Sequence, residues 1–303
     1  MSISLITNVV RLFSLNEYKP MHPKRIRKKE EIGCIARMLE TFYTNRSDDY
    51  GLMDRPETDY QDYADLVTRW TSKNGDVLDL GCGTYRTPLI LQKRGFQTIG
   101  CDLFSEQQCK HYQKQVGKDG PKFVSYSGKR LPFGDETFDT VATLCMMEHV
   151  PDVDGMLTEI KRILKPGGRI VIIGPNMSGP HRLILGMKNI LGGKGRYWQF
   201  QNVFECMMGG MKMMFWSLFI LISKKPLFLY VYPRIEEDKI KFELPDDDAI
   251  HLNAPLSYKK WFRQNGFRLN QYNRRMGDSR FAQVFNTVFP SLATKVQIVA
   301  EKQ

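Results

Sequence analysis

Apolar and polar positions change rhythm in blocks through the middle of the chain. Short apolar runs bounded by turn residues alternate with amphipathic stretches. That order predicts a parallel sheet with crossover helices. The runs Asp76–Leu80, Gln97–Cys101, Lys122–Tyr126, Thr137–Leu144 and Arg169–Ile173 read as strands. Between them Pro88–Arg94, Glu106–Val116 and Val153–Leu164 read as helices, the last closed by the stop and turn Lys165-Pro166-Gly167-Gly168. Further on, Leu256–Asn265 reads as a helix stopped by Gly266, and Phe267–Tyr272 with Lys295–Ala300 reads as an antiparallel pair completing the sheet. The predicted fold class is α/β: a mostly parallel, seven-stranded sheet with helices on both faces.

Two segments fall outside this rhythm, which divides the chain into four parts. Residues 1–70 form a basic N-terminal arm with helices, 71–180 the alternating core, 181–250 an apolar insertion or lid rich in Met and aromatic residues, and 251–303 the terminal helix and strand pair. Within the insertion, Met207 to Tyr232 gathers five methionines and two apolar runs, split by Lys212, Lys224, Lys225 and Pro226. Each run is shorter than the ~20 residues a spanning helix needs, so a transmembrane segment is not expected. A buried lid and a surface that dips into a membrane interface both stay open. The amphipathic face Ile3, Leu5, Ile6, Val9, Val10, Phe13 and the basic run Lys19–Lys29 point to an anionic membrane surface as a partner, against the plainer reading of a solvated arm.

Composition narrows the picture modestly. With 303 residues and 42% hydrophobic content the chain can bury a full core. The net charge of +11 favours an anionic partner, whether a phosphate-bearing substrate, a nucleic acid or an acidic membrane. Six cysteines show no Cys-x-x-Cys pair and no His spacing of a zinc site, so no metal is expected. The N-terminal apolar stretch has its basic residues after it, the wrong order for export, and the chain reads as cytoplasmic, with peripheral membrane association open.

The chemistry-bearing signal is Val77-Leu78-Asp79-Leu80-Gly81-Cys82-Gly83-Thr84, an apolar strand running into two glycines before a helix. Glycine lets backbone approach a ligand closely, and the helix N-terminus offers unpaired N–H groups. Asp102 follows Gly81 by 21 residues at the end of the next strand, where a carboxylate accepts from ribose hydroxyls. A nucleoside ligand is therefore expected. Arg86 stands where a dinucleotide fingerprint needs its third glycine, and Asp79 would repel a pyrophosphate while helping to orient an ammonium group, directly or through water. Both features disfavour a nicotinamide oxidoreductase.

Four ordered segments carry a specific resemblance: Val77–Thr84; Gly100-Cys101-Asp102-Leu103; Leu131–Asp139 with Cys145-Met146-Met147-Glu148-His149-Val150-Pro151-Asp152; and Glu159–Gly168. Over roughly residues 75 to 175 the chain resembles the class I methyltransferases dependent on S-adenosylmethionine, in the broad group of the ubiquinone and menaquinone enzymes (methyltransferase type 11). The resemblance implies a Rossmann-like sheet, S-adenosylmethionine as cofactor, and contacts to it from Asp79, Gly81, Cys82, Gly83, Tyr85, Asp102, Leu103, Ser127, Gly128 and Cys145. Ser127 replaces the acid usual in this family beside the adenine, and a hydroxyl holds the exocyclic amine more weakly than a carboxylate. Tyr85 stands where many relatives have a small residue, either packing on the methionine moiety or covering the loop.

Methyl transfer from a sulfonium is an in-line displacement, so alignment is the main demand and no nucleophile motif is expected. A base helps where the acceptor must lose a proton. His149, at the carboxyl edge of the fourth strand, is the first candidate base, against a capping or packing role. His181 is the second and His251 the third. Glu148 and Asp152 read as solvated or capping, Asp152 as an N-cap. The leading expectation is a small acceptor, hydrophobic or lipid-linked. An RNA or protein methyltransferase, permitted by the charge, and a non-catalytic methyltransferase-like interaction module are the competing readings.

Overall fold

The computed structural model describes residues 29–45, 56–103, 105–126, 130–179, 181–193, 200, 202–233, 248–273 and 280–303. Its centre is a seven-stranded sheet of β1 (Asp76–Leu80), β2 (Gln97–Asp102), β3 (Lys122–Ser125), β4 (Phe138–Leu144), β5 (Leu164–Pro175), β6 (Phe267–Tyr272) and β7 (Lys295–Lys302) in the order β3-β2-β1-β4-β5-β7-β6. The first five pair in parallel, and β7 lies antiparallel between β5 and β6. Four of the five residues of β1 are buried, as a central parallel strand covered on both faces requires.

The helices are α1 (Lys29–Asn45), α2 (Glu57–Trp70), α3 (Arg86–Lys93), α4 (Glu106–Val116), α5 (Val153–Ile163), α6 (His181–Leu191), α7 (Val203–Ile222), α8 (Pro255–Gln264) and α9 (Arg280–Val288). Local chemistry sets several of their ends. Ser105 accepts from Gln108 N while the Gln108 side chain accepts from Ser105 N, a reciprocal cap that starts α4. Asp152 caps α5 by accepting from Gly155 N, as expected from sequence. One sheet face packs on Met156, Leu157 and Ile160 of α5 and Tyr258, Trp261 and Phe262 of α8. The other packs on Tyr63, Ala64 and Val67 of α2 and Leu91 of α3.

The expected strands and helices of the core are present, most with ends shifted by no more than two residues and β5 by more. β5 starts at Leu164 and runs through Lys165–Gly168, because Leu164 pairs with Phe138 before the register shifts at a bulge, with Gly167 at φ +74°. The larger difference lies in the insertion, where α7 runs unbroken for 20 residues. It is long and apolar enough, by length and composition, to cross a membrane. The reading of interrupted short runs fails because Lys212 does not break a helix; it sits on the flank, over the Trp216 ring.

Candidate active site

The carboxyl edge of β1, β2 and β4 gathers most of the residues singled out in the sequence. Gly81 and Gly83 adopt φ +72° and +63° as β1 turns toward α3, and Gly81 N donates to Cys101 O at 2.7 Å. A Cβ on Gly81 would lie 2.2 Å from Met146 Cγ, so the segment after β4 presses directly on the glycine loop. Cys145, just before it, holds φ +52° with its N–H on Ile173 O. The Cys82 thiol lies inward over Gly100, and burial pushes it well above its ordinary range.

Asp102 ends β2 with each carboxylate oxygen accepting one backbone N–H at 2.7 Å, Oδ2 from Gly83 and Oδ1 from Leu103. Every carboxylate oxygen has two lone-pair directions, so one on each remains to receive a pair of vicinal hydroxyls. This pair of acceptors fits the ribose of a nucleoside. Burial holds the acid above its ordinary range, and the two N–H groups pull it back. Tyr112 donates to Gly83 O, and its ring lies 5.8 Å from that of Tyr85.

Asp79 stands near the carboxyl end of β1, two residues before Gly81, as expected. It is 1% exposed, lying beneath the loop, where Tyr63 of α2 donates to Oδ1 at 2.6 Å and Thr87 of α3 donates to Oδ2. Its two hydroxyl partners come from α2 and α3, so the carboxylate sits under the loop with its charge beside Cys82. Burial raises its carboxyl to about 6, opposed by the hydrogen bonds from Thr87 and Tyr63. Nothing local to the motif signals Tyr63, which reads as an ordinary core aromatic of an amphipathic helix.

His149 lies in the short 3-10 turn Met147–His149, with a partly buried side chain. Its Nδ1 is 3.2 Å from Asp248 Oδ2, and its Nε2 is 4.0 Å from Glu148 Oε1. The turn follows β4 directly, which sets His149 at the carboxyl edge that carries Asp102. Tyr43 of α1 donates to the same oxygen of Asp248. The fold thus brings together a histidine after β4, an acid from beyond the insertion and a tyrosine from the N-terminal arm. Asp248 and Tyr43 were missed in the sequence. Glu148 corrects the solvated reading: it is fully buried, its carbonyl accepts from Ile250 N and His251 N, and Asn253 donates to its Oε2.

His251 is fully buried among Phe228, Tyr230 and Tyr258, with Nδ1 3.2 Å from Met147 O. Desolvation holds it down at about 4, so it stays neutral with its proton on Nδ1. It supports the turn that carries His149 and has no path to an acceptor here. The His181 side chain, Ser127 and Gly128 lie outside the described residues. Among the described residues no group of three or more His, Cys, Asp or Glu could hold a metal.

Residues 78–172, which carry this edge, match the family described as Methyltransferase domain. This stretch is a methyltransferase domain. Over 99 residues the chain is 38% identical to a demethylmenaquinone methyltransferase of Streptomyces griseus, covering 32% of this chain and 40% of that protein. It is 29% identical over 104 residues to a sterol 4-C-methyltransferase of Caenorhabditis elegans, covering 33% and 31%. The match therefore spans about two fifths or less of these relatives' length. A 1,6-didemethyltoxoflavin-N1-methyltransferase of Burkholderia thailandensis, solved with S-adenosylhomocysteine, superposes over 92% of both chains with a TM-score of 0.53 at 12% identity. That likeness extends the shared fold well beyond the methyltransferase domain. Asp248 and Tyr43 lie outside the matched domain.

Proposed function

We propose that this chain is an S-adenosylmethionine-dependent methyltransferase acting on a small, apolar acceptor that gives up a proton, with His149 as the base. The observation that carries the reading is that Asp102 after β2 and His149 after β4 share the carboxyl edge of the sheet, with Asp248 from beyond the insertion beside His149.

Bound S-adenosylmethionine supplies an activated methyl group on sulfur. Asp102 would hold its ribose, while the Gly81–Gly83 backbone and the Tyr85 ring line its path. The protein's own task is alignment and proton removal. Asp248 facing Nδ1 favours the tautomer with its proton there, which leaves Nε2 to accept from the acceptor. The carboxylates of Asp248 and Glu148 on either side stabilise the positive charge that develops on the ring, the role an acid plays in a histidine–acid pair. Tyr43, donating to Asp248, fixes that carboxylate and brings α1 over the site. The names of the relatives, for a demethylmenaquinone and a sterol, support an apolar acceptor.

Calorimetry with S-adenosylmethionine and tritiated methyl transfer into fractionated cell extract test the two halves. The wild type is expected to bind the cofactor, Asp102→Ala to lose at least about 100-fold in affinity through two lost ribose hydrogen bonds, and label to appear in a small-molecule or lipid fraction. His149→Ala is expected to keep cofactor affinity while turnover falls about 10²–10⁴-fold. A wild type that binds no cofactor overturns the enzyme reading. Label confined to RNA or protein overturns the acceptor.

A further inference from the structure

The α6–α7 pair turns a broad apolar face outward. On α7, Phe204, Met211, Phe215, Leu218 and Ile222 recur at helical spacing, with Phe215 71% and Ile222 69% exposed. On α6, Ile184 and Leu191 are 67% and 71% exposed. Such a continuous apolar surface exceeds the scattered single residues normal on a protein exterior. The opposite side of α7, through Cys206, Gly209, Gly210, Met213 and Ile220, is buried.

That inner side is fastened along its length, which decides how the helix can meet a bilayer. A Cβ on Gly210 would lie 3.0 Å from Leu183 Cβ, so α6 and α7 approach closely through the glycine. Ser217 donates to Ser178 O, just past the carboxyl end of β5. Lys260 of α8 donates to the carbonyls of Ile220, Leu221 and Ser223 and closes the helix C-terminus. A helix so fixed lies flat along the domain, with only its outer face available.

Charge selects the occupant. Lys188 stands on the exposed face of α6, Lys212 on the flank of α7, and exposed Lys224 and Lys225 follow its C-terminus, whereas α6 and α7 together hold one acid, Glu205. A second copy docking through a two-fold axis would set this lysine-rimmed patch against itself. An anionic lipid surface complements both features, taking the apolar residues into the acyl boundary and the lysines at the headgroups. We propose that the outer face of α6–α7 docks the protein on an anionic bilayer, with α7 lying in the interface plane. The proposal goes beyond methyl transfer, since the surface exists whether or not the acceptor reading holds.

Co-sedimentation of the full chain with vesicles tests it, using pure phosphatidylcholine against a mixture with phosphatidylglycerol. The wild type is expected to bind the anionic vesicles at least 10-fold more tightly than the neutral ones, and less tightly at high salt. Phe215→Glu with Leu218→Glu is expected to abolish binding with unchanged melting temperature and S-adenosylmethionine affinity, while Lys224→Glu with Lys225→Glu removes the preference for anionic lipid. Should the double glutamate variant unfold, Phe215→Ser is expected to weaken binding several-fold in a folded protein. Equal vesicle binding by wild type and Phe215→Ser, no vesicle binding at all, or a wild-type dimer by light scattering that Phe215→Glu dissolves would each overturn the proposal. Cofactor calorimetry on the same samples separates this failure from failure of the enzyme reading.

Discussion

The carboxyl edge of the sheet and the α6–α7 pair invert the usual placement of residues in opposite ways. At the edge, ionisable groups are buried: Asp79, Glu148, Asp248 and His251 are all at or below 1% exposure. On α6–α7, large apolar side chains stand in water. Each inversion costs stability unless something meets it, and the two regions differ in what does so. The buried acids are met from within, by Tyr63 and Thr87 on Asp79 and by Asn253 on Glu148. The exposed apolar face finds no such partner among the described residues. Asp79 is held from within the fold, while Asp248 Oδ1 and His251 Nε2 are buried without a hydrogen-bond partner among the described residues, and the apolar face is left open at the surface.

Substitutions sharpen that contrast, the largest effects falling at the edge. Gly81→Ala forces an L residue into the left-handed region and drives its Cβ into Met146, so a loss of about 2–5 kcal/mol is expected from urea denaturation. A loss under about 1 kcal/mol would mean that the loop yields and is not preorganised.

Next comes acid sensitivity. His251 is held at about 4 in the folded chain, below its ordinary 6.5. Between those values the unfolded chain binds a proton that the folded chain refuses, so stability falls as pH drops from 6.5 to 4, by up to about 3 kcal/mol. Asp79, raised to about 6, acts with the opposite sign below that pH, but does so in wild type and variant alike. His251→Gln is therefore expected to lose less stability than wild type between pH 7.5 and 4.5. Equal losses in urea titrations at the two pH values would show that His251 is protonated in the fold.

The smallest effect is expected on α7. Phe215→Ser should shift the unfolding free energy by less than about 0.5 kcal/mol, because a side chain 71% exposed gives up little burial. A loss of 2 kcal/mol or more would reveal an intramolecular partner and erase the contrast between the two regions.

How legible each region is in the sequence follows from where its partners lie. The strands, the glycine turn and Asp102 are local signals, fixed by period and spacing within about 25 residues, and the structure places them as expected. His149 is legible as a candidate, but Asp248 reaches it across 99 positions of chain and Tyr43 reaches Asp248 across 205, with no shared period to announce either contact. Glu148 reads as a solvated residue because the N–H groups on its carbonyl come from Ile250 and His251. The continuity of α7 is hidden for a different reason. Lysine interrupts a hydropathy run but not a helix, since its long stem lets the charge leave the apolar face.

The position of β7 between β5 and β6 carries a consequence for biosynthesis. β5 pairs on one side with β4 as soon as both are made, but its other edge, Arg169–Pro175, waits for a strand that begins at Lys295. At ribosomal speeds of about 5–20 residues per second the nascent chain spends roughly 6–24 s with that apolar edge open. The α6–α7 segment emerges during the same interval. Nascent-chain crosslinking should therefore find holdase chaperones on this protein most strongly between the synthesis of β5 and the pairing of β7.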